Sequence, residues 1–518
     1  MHAVLVGAGI LLSRILGLVR ESLKARFLGA TGDIAADAFH AAFRIPNVLQ
    51  NLFGEGSLSA SFIPVYSNAL ARGNREEADR LAGAIGALLA LVAAVLVLLG
   101  VIFAPALVAV IAPGFEEGPK RDLTVSLTRI LFPGAALFVF SAWCLGILNS
   151  HRRFFLSYAA PVAWNLTMIA ALLVYRRSAP ATLATNIAWA SVAGAALTFI
   201  VQLPVVFRVA PALRLSLGRG NEAVRRVMRN FVPAFFGRGV VQVNAYIDQL
   251  IASFLPTGAI SLLFYSQTIT MLPISLFGMS VSAAELPEMS SATGDDEQSH
   301  AHVRTRLNIG LRQIAFLVVP SAVAFFMLGD VIAAALFQWG RFTAEDTRFT
   351  WGILAAASLG LLASTLGRLY SSGFYALNDT KTPLRIALVR VTLAMMLGTL
   401  FALYLPGLFG VAPQWGAAAL ALSSSIVGWV EFTLLRRRLN ARIGRTGAAP
   451  SFVLTLLTAA LASGAAGVGV KLAVAGLHRL ALAALVLGTF GALYLVVTSA
   501  LRVPESLALL DRLRRTRA

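Results

Sequence analysis

Apolar runs of about 20 residues recur along the whole chain and are separated by Gly, Pro and charged positions. Each run has the length that an α-helix needs to cross a hydrocarbon core of roughly 30 Å. The pattern therefore predicts an all-α polytopic membrane protein with about fourteen transmembrane helices. An even number of spans places both termini on the same side of the membrane. The predicted spans are 2–27, 37–70, 81–112, 124–148, 158–175, 184–207, 226–255, 259–289, 307–337, 349–376, 384–405, 412–435, 451–475 and 480–501.

Short motifs recur at a nearly constant distance of about 224–229 residues. The Gly-rich stretch 53–59, which precedes Pro64, has a counterpart at 277–282, which precedes Pro287. Six predicted spans separate the two copies, so both copies enter the membrane in the same direction. These Gly-rich stretches interrupt predicted helices, and small residues there permit either close helix packing or an unwound segment.

The repeat divides the chain into a six-helix N-terminal lobe at 1–210 and a six-helix C-terminal lobe at 222–438. The last two spans form an accessory helix pair at 450–502, and a basic cytoplasmic tail follows at 503–518. Parallel repeats of this kind are typical of transporters, in which the substrate site lies near the membrane midplane between the halves. A duplicated channel or scaffold would show the same repeat, so that alternative stays open.

Composition excludes several classes of protein. The 518 residues are 58% hydrophobic and 13% charged, whereas soluble domains carry roughly 25% charged residues. A soluble enzyme and a disordered chain are therefore excluded, and the single cysteine, Cys144, excludes a scaffold of internal disulfides.

Motifs for enzyme chemistry are missing from the sequence. Gly7 and Gly9 are followed by Leu12 where a dinucleotide fingerprint needs Gly, and there is no Walker loop, metalloprotease His pair or nucleophile elbow. His300 and His302 belong to a charged loop, where solvation explains them better than a metal. We therefore predict a protein that is not an enzyme and has no cofactor or metal. Transport would draw on an ion gradient, the membrane potential or substrate supply.

The formal net charge of +19 is distributed unevenly between the loops. One set of alternate loops, together with the C-terminal tail, holds about 25 Lys and Arg residues, and the opposite set holds about seven. Cytoplasmic loops carry the excess of basic residues in membrane proteins, so both termini are predicted to be cytoplasmic. Because the basic residues lie in short loops between apolar runs, they do not predict a nucleic-acid partner.

About 11 of the 43 basic residues lie within predicted spans, where a charge costs on the order of 2.5–3.5 kcal/mol. Snorkelling towards the nearest membrane surface explains those near span ends: Lys24, Arg26, Arg312, Arg390 and Lys471. Four arginines in the first helices of the two copies are harder to explain in this way: Arg14, Arg20, Arg44 and Arg238. The ion pairs Arg14–Glu21 and Arg44–Asp37 are a purely structural alternative. A positive surplus remains after pairing, and it predicts a cavity that binds phosphate-type anions.

Nine short motifs, in order from the first helix to the eleventh, resemble those of one known family. They are 12–20, 36–39, 43–47, 55–56, 112–115, 148–149, 336–343, 373–375 and 379–383. The chain resembles the MurJ (MviN) lipid II flippases of the multidrug/oligosaccharidyl-lipid/polysaccharide exporter superfamily. That resemblance implies two six-helix lobes, with two extra helices forming a groove for a lipid tail. It also implies a bacterial cytoplasmic (inner) membrane location, and lipid II, membrane lipids and cell-wall synthesis enzymes as partners.

The resemblance also assigns candidate site residues. Substrate-binding candidates are Arg14, Arg20, Asp37, Arg44, Arg238 and Glu55. Gln50 and Thr268 stand where family members commonly carry further cavity arginines. Either Arg44 or Arg238 substitutes for them, or the headgroup is held differently. The implied substrate is an undecaprenyl-pyrophosphate-linked peptidoglycan precursor, moved from the inner to the outer leaflet by alternating access. Alternatives are a flippase for another polyprenyl-linked glycan, a drug/cation antiporter, which would need acidic cavity residues, and a non-transporting scaffold for cell-wall enzymes.

Overall fold

The computed structural model is helical along nearly its whole length, and it describes residues 2–53, 57–216, 222–291, 297–474 and 476–515. A π-helical turn, Ile274–Met279, joins the tenth and eleventh α-helices, and a 3₁₀ turn, Pro413–Trp415, precedes the fifteenth. The α-helices are α1 His2–Leu28, α2 Ile34–Phe53, α3 Ser57–Ala71, α4 Arg75–Ile102, α5 Ala104–Ile111, α6 Pro119–Ser150, α7 Phe154–Val174, α8 Pro180–Val209, α9 Glu222–Ala252, α10 Ala259–Pro273, α11 Ser280–Ser290, α12 Glu297–Phe337, α13 Ala344–Ala376, α14 Lys381–Leu408, α15 Gly416–Ile443, α16 Pro450–Ala473, α17 Arg479–Ala500 and α18 Pro504–Arg515.

Within the described residues, each predicted span coincides with one α-helix or with two consecutive ones. Within the residues that the structure describes, eleven helical segments are long and apolar enough to cross a membrane. An all-helical polytopic membrane protein is therefore confirmed. The total of fourteen transmembrane helices and the parallel repeat stay predictions.

The second Gly-rich stretch packs closely against a neighbouring helix and stays helical. It forms the π-helical turn between α10 and α11, and Gly278 lies directly against Thr365 of α13. A Cβ atom at Gly278 would lie 2.3 Å from Cγ2 of Thr365, so glycine permits this close approach. The first stretch falls between α2 and α3, and its residues 54–56 lie outside the described residues.

The chain forms two compact units, and the first comprises residues 1–261 and 339–342. One of its apolar cores lies between α3, α4 and α6, around Phe62, Leu81 and Trp143. A second core joins α1, α2, α6, α7 and α8. After α8, the chain lies so close to α4 that a Cβ atom at Gly83 would be 2.0 Å from the carbonyl oxygen of Arg214.

The second unit comprises residues 262–338 and 343–518. The accessory helices α16 and α17 pack on α12 through an apolar core that includes Leu328, Leu456 and Val486. The last helix, α18, contacts α12 through an ion pair, in which Nε of Arg312 donates to Oε1 of Glu505 at 2.7 Å. The predicted lobe boundaries rest on the sequence repeat rather than on packing, and they stay predictions.

Candidate functional site

Arg20 of α1 is held from three directions within the first unit. Its Nε and Nη2 atoms donate to Oε1 of Glu21 at 3.1 and 2.6 Å. Nη1 donates to Oδ1 of Asn165 on α7 at 2.7 Å. The guanidinium carbon lies 4.2 Å from the ring centre of Trp164, in the geometry of a cation–π contact.

Asn165 fixes the direction of this arginine. Its Nδ2 atom donates to the backbone carbonyls of Ser13 and Pro161 at 3.3 and 3.2 Å. The amide oxygen is thereby turned towards Arg20. A guanidinium has five N–H donors, and the described contacts of Arg20 use three of them. Two N–H groups therefore remain for a ligand, which can reach them because the side chain is 14% exposed.

A line of buried polar groups continues from Glu21 into α2. The Nζ atom of Lys24 lies 2.6 Å from Oε2 of Glu21 and 3.4 Å from Nε2 of His40. On the other side of the imidazole ring, Nδ1 of His40 lies 3.2 Å from Oγ of Ser261. The Ser261 hydroxyl donates to Oδ1 of Asp37 at 2.7 Å.

This geometry determines the protonation of His40. The Ser261 hydroxyl has one hydrogen, which the Asp37 carboxylate accepts, so the Ser261 oxygen accepts a hydrogen bond from Nδ1–H of His40. The Nε2 atom is then free of hydrogen and accepts from the Lys24 ammonium. His40 is therefore a neutral imidazole, because a protonated ring would place two cations 3.4 Å apart.

Asp37 is 1% exposed and accepts four hydrogen bonds. Besides the Ser261 hydroxyl, the donors are Nζ of Lys120 at 2.9 Å and the backbone N–H groups of Gly258 and Ser261 at 2.8 and 2.9 Å. Lys120 also lies 4.2 Å from the ring centre of Phe115. These contacts make Asp37 a buried anchor for α2, and its predicted contact with substrate stays a prediction.

The other candidate residues occupy different positions. Arg14 is exposed on α1, and Arg44 is half-buried on α2, where Asp248 of α9 is its main acidic neighbour. Glu55 and the side chain of Arg238 lie outside the described residues.

The structure corrects two expectations about charge. Glu21 pairs with Arg20 and Lys24, and Asp37 pairs with Lys120, whereas the sequence suggested Arg14 and Arg44 as partners. Snorkelling is also the wrong explanation for Lys24, which is buried against Glu21. Three of the other cations each lie beside a carboxylate and stay partly exposed, so their snorkelling stays a prediction: Arg312 on Glu505, Arg390 on Glu431 and Lys471 on Asp330.

The sequence did not identify the residues that orient this network: Trp164, Asn165, Lys120, His40 and Ser261. A polar residue beside a tryptophan in an apolar span was the available signal at 164–165, but its partner lies 145 positions away. Three cations and two carboxylates give the network a surplus of one positive charge, which suits an anionic ligand. Among the described residues, no group of three or more His, Cys, Asp and Glu side chains is placed to hold a metal ion.

Comparison with known proteins gives one consistent family. The family model described as "Lipid II flippase MurJ" matches residues 24–499. The probable lipid II flippase MurJ of Rhizobium tropici is 35% identical over 449 residues, which cover 84% of this chain and 80% of that protein. The lipid II flippase MurJ of Burkholderia cenocepacia is 33% identical over 437 residues, with 83% of this chain and 82% of that protein covered.

Solved structures show the same fold. A lipid II flippase MurJ in an inward closed conformation matches with a TM-score of 0.79 and 23% identity, over 96% of this chain and 98% of that one. An inward-facing multidrug resistance MATE family transporter of the MOP superfamily matches with a TM-score of 0.67 and 17% identity, over 83% and 95% of the two chains. These likenesses show that the chain shares the fold of these proteins, whereas the two six-helix lobes and the two extra helices stay predictions.

Proposed function

This chain belongs to the lipid II flippase MurJ family, and we propose that it moves lipid II from the cytoplasmic to the outer leaflet of the bacterial inner membrane. Lipid II is an undecaprenyl-pyrophosphate-linked peptidoglycan precursor, so its head carries the anionic group that crosses the membrane. The chain is a transporter and not an enzyme. Its apolar helices and its MurJ relatives indicate a multi-pass protein of that membrane.

The observation that carries the proposal is the fixed, partly exposed guanidinium of Arg20. Arginine presents planar pairs of N–H donors that match phosphate oxygens, and it stays charged at any physiological pH. Because Glu21, Asn165 and Trp164 already orient the group, little side-chain entropy is lost when a pyrophosphate binds. The positive surplus of the network supplies the electrostatic attraction.

The finer features of the transporter are part of the same proposal. Two parallel six-helix repeats, at 1–210 and 222–438, would rock about the substrate, with fourteen spans in all and both termini in the cytoplasm. The large excess of basic residues in one set of loops supports that orientation. The accessory pair at 450–502 would accompany the polyprenyl tail, and cell-wall synthesis enzymes would use the flipped product.

Arg20 is the first pyrophosphate ligand in this scheme, and Arg14, Arg44 and Arg238 complete the cationic set. Asp37 and Glu55 would set the local charge rather than bind the anion directly. Since Gln50 and Thr268 carry no charge, Arg44 or Arg238 takes the place of the arginines that relatives have there.

A leaflet-accessibility assay for lipid II tests the function in cells that have no other flippase for it. Depletion of the protein should stop lipid II from reaching the outer leaflet, and continued externalisation would reject the transport function. An unchanged lipid II distribution with arrested cell-wall synthesis would instead support a scaffold.

The same assay tests the site separately from the function. Arg20→Ala should abolish externalisation, and Arg20→Lys should restore part of it because lysine keeps the charge but not the paired donors. Arg80→Ala is the matched control, since Arg80 forms an exposed pair with Glu76 on α4. Full activity of both Arg14→Ala and Arg20→Ala would disprove the site while leaving the transport function intact.

A further inference from the structure

Three charged residues of the second unit lie together on α13, α14 and α15. Nη1 of Arg390 donates to Oε2 of Glu431 at 2.7 Å. Arg368 lies within direct electrostatic range of both. Arg368 is eight residues before the end of α13 at Ala376, and Arg390 is nine residues after the start of α14 at Lys381. At 1.5 Å per residue, the two arginines lie at the same depth, about 12–14 Å from the helix ends that residues 377–380 connect.

The charges of this cluster do not balance. Two guanidinium groups face one carboxylate, whereas Arg312 and Lys471 in the same unit each have a carboxylate of their own. The Arg368 side chain is exposed, and among the contacts described for the second unit its guanidinium has no hydrogen-bond acceptor. An arginine at this depth in a bilayer is unfavourable without an anion or water beside it.

Among the polar side chains beside Arg368, one hydroxyl, that of Tyr375, has a hydrogen that no described contact uses. Ser364, Arg368, Ser371 and Tyr375 follow one another at spacings of three and four residues and share a face of α13. The two serine hydroxyls donate to carbonyls of their own helix, Leu361 and Gly367, both at 3.1 Å. Tyr375 is 47% exposed and carries a hydroxyl that can donate. Because these carbonyls already accept the serine hydrogens, the donors that this face offers to a ligand belong to Arg368 and Tyr375. They call for an acceptor, and the surplus positive charge of the cluster calls for an anion.

The surroundings indicate that the ligand also has an apolar part. On α14, the side chains beside Arg390 are exposed and apolar, namely Leu388 and Val389. Acyl chains cover such surfaces in a membrane. A phosphodiester has one negative charge, which balances the surplus positive charge of the cluster, whereas a pyrophosphate diester has two and would leave a net negative charge at this depth.

We infer that Arg368, Arg390 and Glu431 form a binding site for the phosphodiester head of an ordinary membrane lipid. Arg368 would bind the phosphate with its paired N–H donors, and Arg390 would bind it with those donors that Glu431 leaves free. This site uses residues of the second unit only and goes beyond the proposed transport of lipid II.

Lipid binding to the purified full-length chain in detergent tests the inference, with native mass spectrometry and thermal unfolding as readouts. Phosphatidylglycerol should remain bound and raise the unfolding temperature. Diacylglycerol with the same acyl chains and inorganic phosphate should each fail to do so, because one lacks the phosphate and the other lacks the tails. A preference for undecaprenyl pyrophosphate over phosphatidylglycerol that persists in Arg20→Ala and is lost in Arg368→Gln would place the pyrophosphate at this cluster and overturn the assignment to a phosphodiester.

Variants then locate the site. Arg368→Gln should weaken phosphatidylglycerol binding by roughly tenfold or more, the loss expected for a charge-assisted contact. Arg385→Gln is the matched control, because Arg385 is an exposed arginine near the start of α14, the helix that also carries Arg390. Equal lipid affinity in Arg368→Gln and in the unaltered chain would refute the site.

Two further variants keep the test decisive if Arg368→Gln is unstable. Arg368→Lys should bind phosphatidylglycerol with intermediate affinity, since lysine keeps the charge and loses the paired donors. Glu431→Gln raises the surplus charge to two and should shift the preference towards undecaprenyl pyrophosphate. Unchanged affinity in Arg368→Lys together with unchanged preference in Glu431→Gln would refute the inference.

Discussion

The two units treat charge within the membrane in different ways. In the first unit, Arg20 and Lys24 share the Glu21 carboxylate, and hydrogen bonds continue through His40 and Ser261 to Asp37. In the α13–α15 cluster of the second unit, Arg390 pairs with Glu431, and Arg368 is left exposed beside them. The first arrangement holds a cation in a fixed direction before any ligand arrives. The second depends on a ligand for its charge balance, so we expect the protein's stability to respond to lipid there.

Removal of Asp37 would break the first arrangement most severely. Asp37→Ala leaves the Lys120 ammonium and the N–H groups of Gly258 and Ser261 without their acceptor. Loss of one partner from a buried ion pair costs about 3–5 kcal/mol. We expect a large fall in the unfolding temperature in detergent and little folded protein in the membrane. Asp122→Ala, at an exposed aspartate in the first turn of α6, should change the unfolding temperature far less. A fall of similar size in Asp122→Ala would contradict the role of Asp37 as a buried anchor.

Asn165 offers a way to disturb Arg20 without removing its charge. Asn165→Leu deletes the acceptor of Nη1, and a hydrogen bond to a charged group is worth about 1.5–3 kcal/mol. Lipid II externalisation should fall roughly tenfold or more, whereas the unfolding temperature should change modestly. Thr167→Val is the control, since the Thr167 hydroxyl only donates to a carbonyl of its own helix at 2.9 Å. Normal externalisation by Asn165→Leu would show that the direction of Arg20 is unimportant.

The residues that orient Arg20 mark the limit of what the sequence could predict. The helices follow from apolar runs, which are local, and the arginines are conspicuous because charge is rare in such runs. Their partners are distant in sequence, since Asn165 lies 145 positions from Arg20 and Lys120 lies 83 positions from Asp37. Only packing brings these pairs together. Lys24 differs in part, because its carboxylate partner Glu21 is only three positions away. Its second partner, His40, belongs to α2 and is brought to it by packing.

A substitution of His40 tests whether its imidazole ring is neutral between Lys24 and Ser261. His40→Leu removes the Nε2 acceptor of Lys24, and an unsatisfied buried donor costs about 1–3 kcal/mol. Nitrogen-15 NMR of histidine-labelled protein should show a neutral ring protonated at Nδ1, identified by the signal that His40→Leu lacks. His300→Leu, in the loop end of α12, serves as the control for unfolding temperature. A doubly protonated His40 at neutral pH would contradict the hydrogen-bond directions assigned above.

The smallest effect is expected where α13 and α14 of the second unit are joined. Burial opposes ionisation of Asp379, but hydrogen bonds from the backbone and hydroxyl of Thr382 and from the backbone of Lys381 outweigh it, so the pKa of Asp379 lies below its ordinary 3.8. A lowered carboxyl pKa contributes stability at pH values above 3.8, and that contribution is lost as the pH falls through the lower value of the folded state. Asp379→Ala should lower the free energy of unfolding by about 1 kcal/mol at neutral pH, the usual size for a residue that caps a helix start.

In acid the unfolding temperatures of the variant and of the unaltered chain should converge, because protonation has already removed the charge of the carboxylate. Unfolding temperatures measured from neutral to acid pH test this, and a constant difference between the two proteins would show that the Asp379 carboxylate does not stabilise the start of α14.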